Sequence, residues 1–190
     1  MKSNADQSNP TEAELITRAK QGDEAALRLL IEMHEAAIAQ TVTAILGPGD
    51  DADDVGQETF IRFFNALPRF RGDASVRTYL TRIAVNLSID ALKKRNRTVG
   101  WLRIGWSHDA NRIQSPDETD QLERDDIRAR VRNAIGTLDP GSKAVVVLRM
   151  LEERSVRETA EILGIPDGTV MSRLKRSIAK LESQLKELRP

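Results

Sequence analysis

The sequence predicts an all-α protein made of two small helical domains joined by a flexible linker. Apolar residues recur at three- and four-residue spacing through successive segments. The run Val145, Val146, Val147 would suit a strand, but no second strand is in reach, so it reads as helix. Between the two periodic blocks, residues 98–119 lack periodicity and contain Gly100, Gly105 and Pro116, the composition of a linker. The expected domains are residues 1–97 and 120–190.

In chain order, Thr11 and Glu14 form a capping box that opens a short helix. A longer helix runs from about Asp23 to Leu46, with Leu27, Leu30, Ile31, Ile38, Val42 and Ile45 on one stripe. His34 falls on that stripe and reads as a core or boundary histidine with one satisfied nitrogen. Gly47, Pro48 and Gly49 break the helix. Asp50 and Asp51 are placed to cap the next one, with Asp53 and Asp54 in its first turn, where the helix dipole favours anions. Their spacing fits no calcium loop, so capping explains them and no metal is expected.

That helix buries Val55, Phe60, Phe63, Phe64 and Leu67 and turns Asp54, Gln57 and Glu58 outward. Pro68 ends it. A loop of Arg69, Phe70, Arg71, Gly72 and Asp73 leads to a helix from about Ser75 to Arg97. Its inner face holds Val76, Leu80, Ile83, Leu87 and Ala91, while Arg77, Arg82, Lys93, Lys94, Arg95 and Arg97 point outward or trail beyond its end. Cations interleaved with Phe70 and Tyr79 are what single-stranded nucleic acid requires, since rings stack on unpaired bases and cations follow the backbone. A solvated basic helix over ordinary core aromatics would present the same pattern. Trp101 and Trp106 in the linker imply packing on the adjacent domain or on a partner.

A helix from about Asp120 to Gly136 leads through Leu138, Asp139 and Pro140 into another from Ser142 to Glu152. Ser155 and Glu158 then form a second capping box, and Gly164, Ile165 and Pro166 stop that helix. The next starts near Asp167, with Val170, Leu174, Ile178, Leu181, Leu185 and Leu188 on one stripe and Thr169, Ser172, Arg173, Arg176 and Lys180 facing solvent. An amphipathic hairpin would share this outline. Ala160, four residues before Gly164, and Val170, six after it, favour the close crossing of a helix-turn-helix, whose exposed helix suits a major groove.

Composition limits what the chain can do. Its 190 residues suit two domains. No run approaches eighteen or so apolar residues and the start lacks a signal-peptide core, so a cytoplasmic protein without membrane insertion is expected. Without cysteine there are no disulfides and no thiolate metal sites. A formal net charge of zero hides segregation: residues 1–58 hold 4 basic and 12 acidic groups, residues 62–103 hold 10 and 2, residues 104–126 hold 2 and 7, and residues 169–190 hold 6 and 2. Such alternation fits different faces meeting different partners, with phosphates drawn to the basic blocks. No catalytic residues and no cofactor are expected. His34 lies on an apolar stripe, His108 in the linker, and no phosphate-binding GxxxxGK[ST] loop occurs.

Three pieces in the right order, DDVGQETFIRFF (Asp53 to Phe64), FRGDASVRTYLTRIAVNLSIDALKKRNR (Phe70 to Arg97) and LGIPDGTVMSRLKRS (Leu163 to Ser177), resemble the sigma-70 family, specifically the short extracytoplasmic function (ECF) sigma factors. The likeness spans roughly Ala25 to Leu188. It implies a sigma-2 helical bundle in residues 1–97 and a four-helix sigma-4 domain in residues 120–190, without the larger sigma-3 domain. Asp54, Gln57 and Glu58 match positions that bind the clamp helices of the polymerase large subunit. The Phe70, Arg71, Gly72, Asp73 loop matches the pocket for a base flipped from the minus-10 element, and Tyr79, Arg82, Asn86, Lys93 and Lys94 fall on the accompanying DNA face. Met171, Ser172, Lys175 and Arg176, with Thr169 beside them, match readers of the minus-35 element, and Arg173 a phosphate contact. The implied partners are core RNA polymerase, through its clamp and flap, double- and single-stranded promoter DNA, and an anti-sigma factor.

Four residues depart from the family pattern: Tyr79 replaces a tryptophan, Met171 a basic residue, Glu153 a frequent glycine, and Gly56 an aliphatic. Two rival readings are an autonomous helix-turn-helix regulator and a decoy for regulators. Stable binding to core polymerase excludes the first, and run-off transcription the second.

Overall fold

A computed structural model of the chain describes the backbone of residues 10–102 and 129–186, and their side chains except at 98–102. Trp106, His108, most of the expected linker, the start of the helix expected from Asp120, and Leu188 lie outside the described residues, and the side chain of Trp101 is not described. All regular structure among the described residues is helical, without strands. The elements are α1 (Glu12–Lys20), α2 (Glu24–Leu46), α3 (Asp50–Ala66), a 3-10 turn at Leu67–Arg69, α4 (Val76–Leu102), α5 (129–136), α6 (Pro140–Val146), a π turn (Val147–Leu151), α7 (Val156–Leu163) and α8 (Asp167–Gln184).

Local chemistry sets most of these boundaries. Both expected capping boxes form, Thr11 with Glu14 on α1 and Ser155 with Glu158 on α7, so each N-terminus has orphan N–H groups satisfied. Asp23 caps α2, accepting from the Ala25 and Ala26 N–H groups. Gly164 ends α7 in the left-handed region at φ 63°. The start of α3 differs from expectation: Gly49 occupies the cap position without a side-chain bond, and Asp50, Asp51 and Asp53 all lie inside the first turn. They act there through the dipole rather than as caps.

Three further features depart from the sequence reading. By length and composition α2 is apolar enough to cross a membrane. Its apolarity is explained by packing, since Ala26, Leu30, Ile38, Val42, Ile45 and Leu46 are buried in the protein. Helix α4 continues through Leu102, past the expected boundary at Arg97. The helix expected from Ser142 to Glu152 ends as a π turn, in which the Glu152 N–H reaches the Val147 carbonyl at 3.0 Å and the Arg154 N–H reaches that of Leu148 at 2.9 Å.

The central core joins α2, α3 and α4 through Ile38, Val42, Phe63, Leu80 and Val85, and Ala144, Val147, Leu148 and Ile162 of the C-terminal half complete it. The two helical units are thus docked on each other. Polar contacts cross the same boundary: the Thr41 hydroxyl donates to the Glu152 carboxylate, and Arg82 Nη2 donates to the Glu161 carbonyl at 2.9 Å. His34 is buried with Nε2 2.7 Å from Glu12 Oε1, a core histidine with one satisfied nitrogen.

Candidate nucleic-acid interface

The loop after α3 is built as a pocket. Phe63 is fully buried and anchors an aromatic cluster in which Phe70 and Tyr79 each stand 6.1 Å from it. Phe70 and Tyr79 meet edge to face at 5.3 Å, a geometry that fixes both rings while leaving each half-buried. Gly72, at φ 81°, supplies the left-handed turn that returns the loop towards α4. Around these rings a cleft of about 630 Å³ is lined by Phe70, Arg71, Gly72, Asp73, Tyr79 and Arg82, together with Arg62, Asn65 and Arg69. Four arginines and one aspartate leave it cationic. Lys20 of α1 fastens the loop, its Nζ donating to the Phe70 carbonyl at 2.6 Å. This contact joins residues fifty positions apart, so no local pattern could announce it.

Along α4 the helical period brings Tyr79, Arg82, Asn86 and Lys93 to one side. Asn86, Lys93 and Lys94 are exposed, with Lys93 Nζ 3.6 Å from Asp90. Arg82 is the member of this row that reaches across to the C-terminal half. On α3, Asp54 and Gln57 are exposed and Glu58 half-buried, opposite the buried Ala52, Val55, Thr59 and Phe63. Glu58 is held by Arg62 one turn on, at 2.7 Å.

In the C-terminal unit, Ala160 and Val170 meet with Val145 in a small apolar core, as their spacing suggested. That core sets the crossing of α7 and α8 and turns Met171, Ser172, Lys175 and Arg176 to solvent, with Thr169 half-buried beside them. Arg173 differs from these: half-buried, it reaches back over Gly141, and its charge helps hold the Asp139 carboxyl below its ordinary value. Burial pushes that carboxyl up, but hydrogen bonds from Ser142 together with Arg173 outweigh it. Among the described residues no group of histidines and carboxylates could hold a metal ion.

Residues 30–98 match the family model for sigma-70 region 2, and residues 128–181 that for sigma-70 region 4. The chain is 30% identical over 183 residues to the RNA polymerase sigma-H factor of Pseudomonas aeruginosa, covering 92% of this chain and 94% of that one. It belongs to the sigma-70 family, in the ECF group.

The ECF RNA polymerase sigma-E factor of Salmonella typhimurium is likewise 30% identical over 193 residues, covering 94% of this chain and 96% of its own length. Among solved structures, CnrH in complex with the cytosolic domain of CnrY superposes with a TM-score of 0.64 at 30% identity, covering 91% of this chain and 96% of that one. RpoE of Bartonella quintana, solved with the anti-sigma factor NepR, shares the fold with a TM-score of 0.62 at 20% identity, covering 84% of this chain and 96% of that one. Sigma factors are transcription initiation factors rather than enzymes. In this ECF chain the aromatic cleft falls in the region 2 match and the exposed α8 face in the region 4 match. Sequence reasoning missed Arg62, Asn65 and Arg69 of the cleft and the Lys20 brace, although the basic residues around Phe70 were a visible signal for the arginines.

Proposed function

We propose that this ECF sigma factor is a dissociable subunit that binds core RNA polymerase, recognises minus-35 and minus-10 promoter elements and promotes DNA melting. The single observation that carries the reading is the cationic cleft around Phe70 and Tyr79, a preformed aromatic site beside the basic row of α4. An unpaired base can stack there while Arg82, Asn86, Lys93 and Lys94 follow the strand, offsetting the few kcal/mol that unstacking costs. The exposed residues of α8, Thr169, Met171, Ser172, Lys175 and Arg176, suit base edges in a major groove, with Arg173 at the backbone. Asp54, Gln57 and Glu58 form the face for the polymerase clamp, and the C-terminal unit meets the flap. Met171 in place of a cation removes a charge from the groove and favours a thymine methyl.

CnrH, solved bound to the cytosolic domain of CnrY, supports control of this chain by a bound protein of the anti-sigma kind, in the cytoplasm where polymerase works. The direct test is co-purification with core polymerase. The full chain should bind core stably, and Gln57→Ala with Glu58→Ala should abolish binding without lowering thermal stability. An autonomous DNA-binding regulator would show neither result.

A further inference from the structure

A second cleft, of about 840 Å³, shares none of the aromatic pocket's lining. Ile45 and Leu46 of α2 form one apolar wall, and Val131 and Ile135 of α5 another. Three cations line it from different elements: Arg95 on α4, Arg132 on α5 and Lys143 on α6. Among the described residues no carboxylate lines it. Among the described residues none of the three cations has an ion pair or a side-chain hydrogen bond. Lys143 is only 5% exposed, and burial, followed by the nearby Arg95 charge, lowers its pKa.

Partial desolvation and the Arg95 charge beside it disfavour the charged form of Lys143, while Arg95 and Arg132 present their guanidinium groups at the exposed rim. Arginine cannot relieve this by losing its proton. A ligand carrying several negative charges removes the cost, and two guanidinium forks with one ammonium are a phosphate-binding set. The apolar walls call for a ring attached to those phosphates, and the volume lies within the range of small-molecule sites. We propose that this cleft binds a nucleoside diphosphate or triphosphate, with its phosphates on Arg95, Arg132 and Lys143 and its base against Ile45, Val131 and Ile135. Because the cations come from both helical units, the ligand favours the docked arrangement over a separated one.

The test is titration of the full chain with fluorescent ADP, with adenosine, inorganic pyrophosphate and a short single-stranded oligonucleotide as competitors. Saturable binding is expected, with adenosine and pyrophosphate each at least tenfold weaker than ADP. Lys143→Met and Arg132→Gln should each weaken ADP binding at least tenfold, while Arg28→Ala on the exposed side of α2 should not change it. Arg132 is exposed, so its variant reports on the site even if the buried Lys143 variant folds poorly. Absence of saturable binding, pyrophosphate matching ADP, oligonucleotide binding without mononucleotide binding, or an unchanged affinity in R132Q would each overturn the proposal. The measurement needs no polymerase, so it stands apart from the promoter reading.

Discussion

Arg82 Nη2 donates a 2.9 Å hydrogen bond to the main-chain carbonyl of Glu161, joining the cationic row of α4 to the last turn of α7. A guanidinium so engaged is not also free to follow a DNA strand. The docked state and the proposed DNA-bound state therefore compete for one side chain, and the Thr41–Glu152 contact strengthens the docked side.

Locking that state should oppose promoter binding. The chain has no cysteine of its own, so Thr41→Cys with Glu152→Cys gives a clean pair for a short bismaleimide. Cross-linked protein is expected to bind a promoter fragment carrying both elements about tenfold or more weaker than the same variant before cross-linking, the size of an ordinary coupling between sites. Equal binding by fluorescence anisotropy would show that the docking does not compete.

Removing the Phe70 ring should act on single strands only. Phe70→Ala is expected to cost about 1–3 kcal/mol, or about 5- to 150-fold, in affinity for a single-stranded minus-10 oligonucleotide. Duplex minus-35 binding should be unchanged. A uniform loss on both ligands in anisotropy titrations would point to general destabilisation instead.

Arg176 and Arg173 should separate by kind of effect. Arg176 is exposed on α8, and its replacement by alanine should relax sequence preference across a set of minus-35 variants. Arg173→Ala should weaken all of those variants alike, and should also lower stability slightly, since Asp139 loses a favourable charge. The opposite pattern in a binding series would contradict the assignment.

Glu153 sits at φ 54°, the one described non-glycine residue in the left-handed region, directly after the π turn. An L side chain there costs about 1–2 kcal/mol. Glu153→Gly relieves this, and after the entropy glycine loses on folding the net gain should be about 0.5–1 kcal/mol. Urea unfolding should show a higher midpoint at unchanged slope.

Asp139 caps α6 with its carboxyl held low, so its contribution is present above the ordinary carboxylate value of about 3.9 and fades as pH falls through the folded value. Asp139→Ala should cost about 1 kcal/mol at neutral pH. That gap should close in acid, as thermal melts across pH would record.

Much of this was legible in the chain because the signals were local. Ser155, Glu158, Gly164 and Pro166 mark the ends of α7 and the start of α8 within a dozen residues, and Thr11 with Glu14 does the same for α1. The Phe70 loop was readable from its glycine and its neighbouring rings and cations. The remainder depends on contacts distant in sequence. The π turn and Glu153 conform to packing of Val147 and Leu148 against the N-terminal bundle, which periodicity alone does not encode. The docking of the two halves, the Lys20 brace and the meeting of Lys143 with Arg95 all join elements whose contact no spacing rule specifies.

The most direct measurement is transcription from a broad promoter library by purified core RNA polymerase with and without this chain, in the absence of any inhibitor. New transcripts are expected whose start sites share two upstream elements, lost when Phe70 or Arg176 is replaced by alanine. A transcript profile identical to that of core polymerase alone would contradict that expectation.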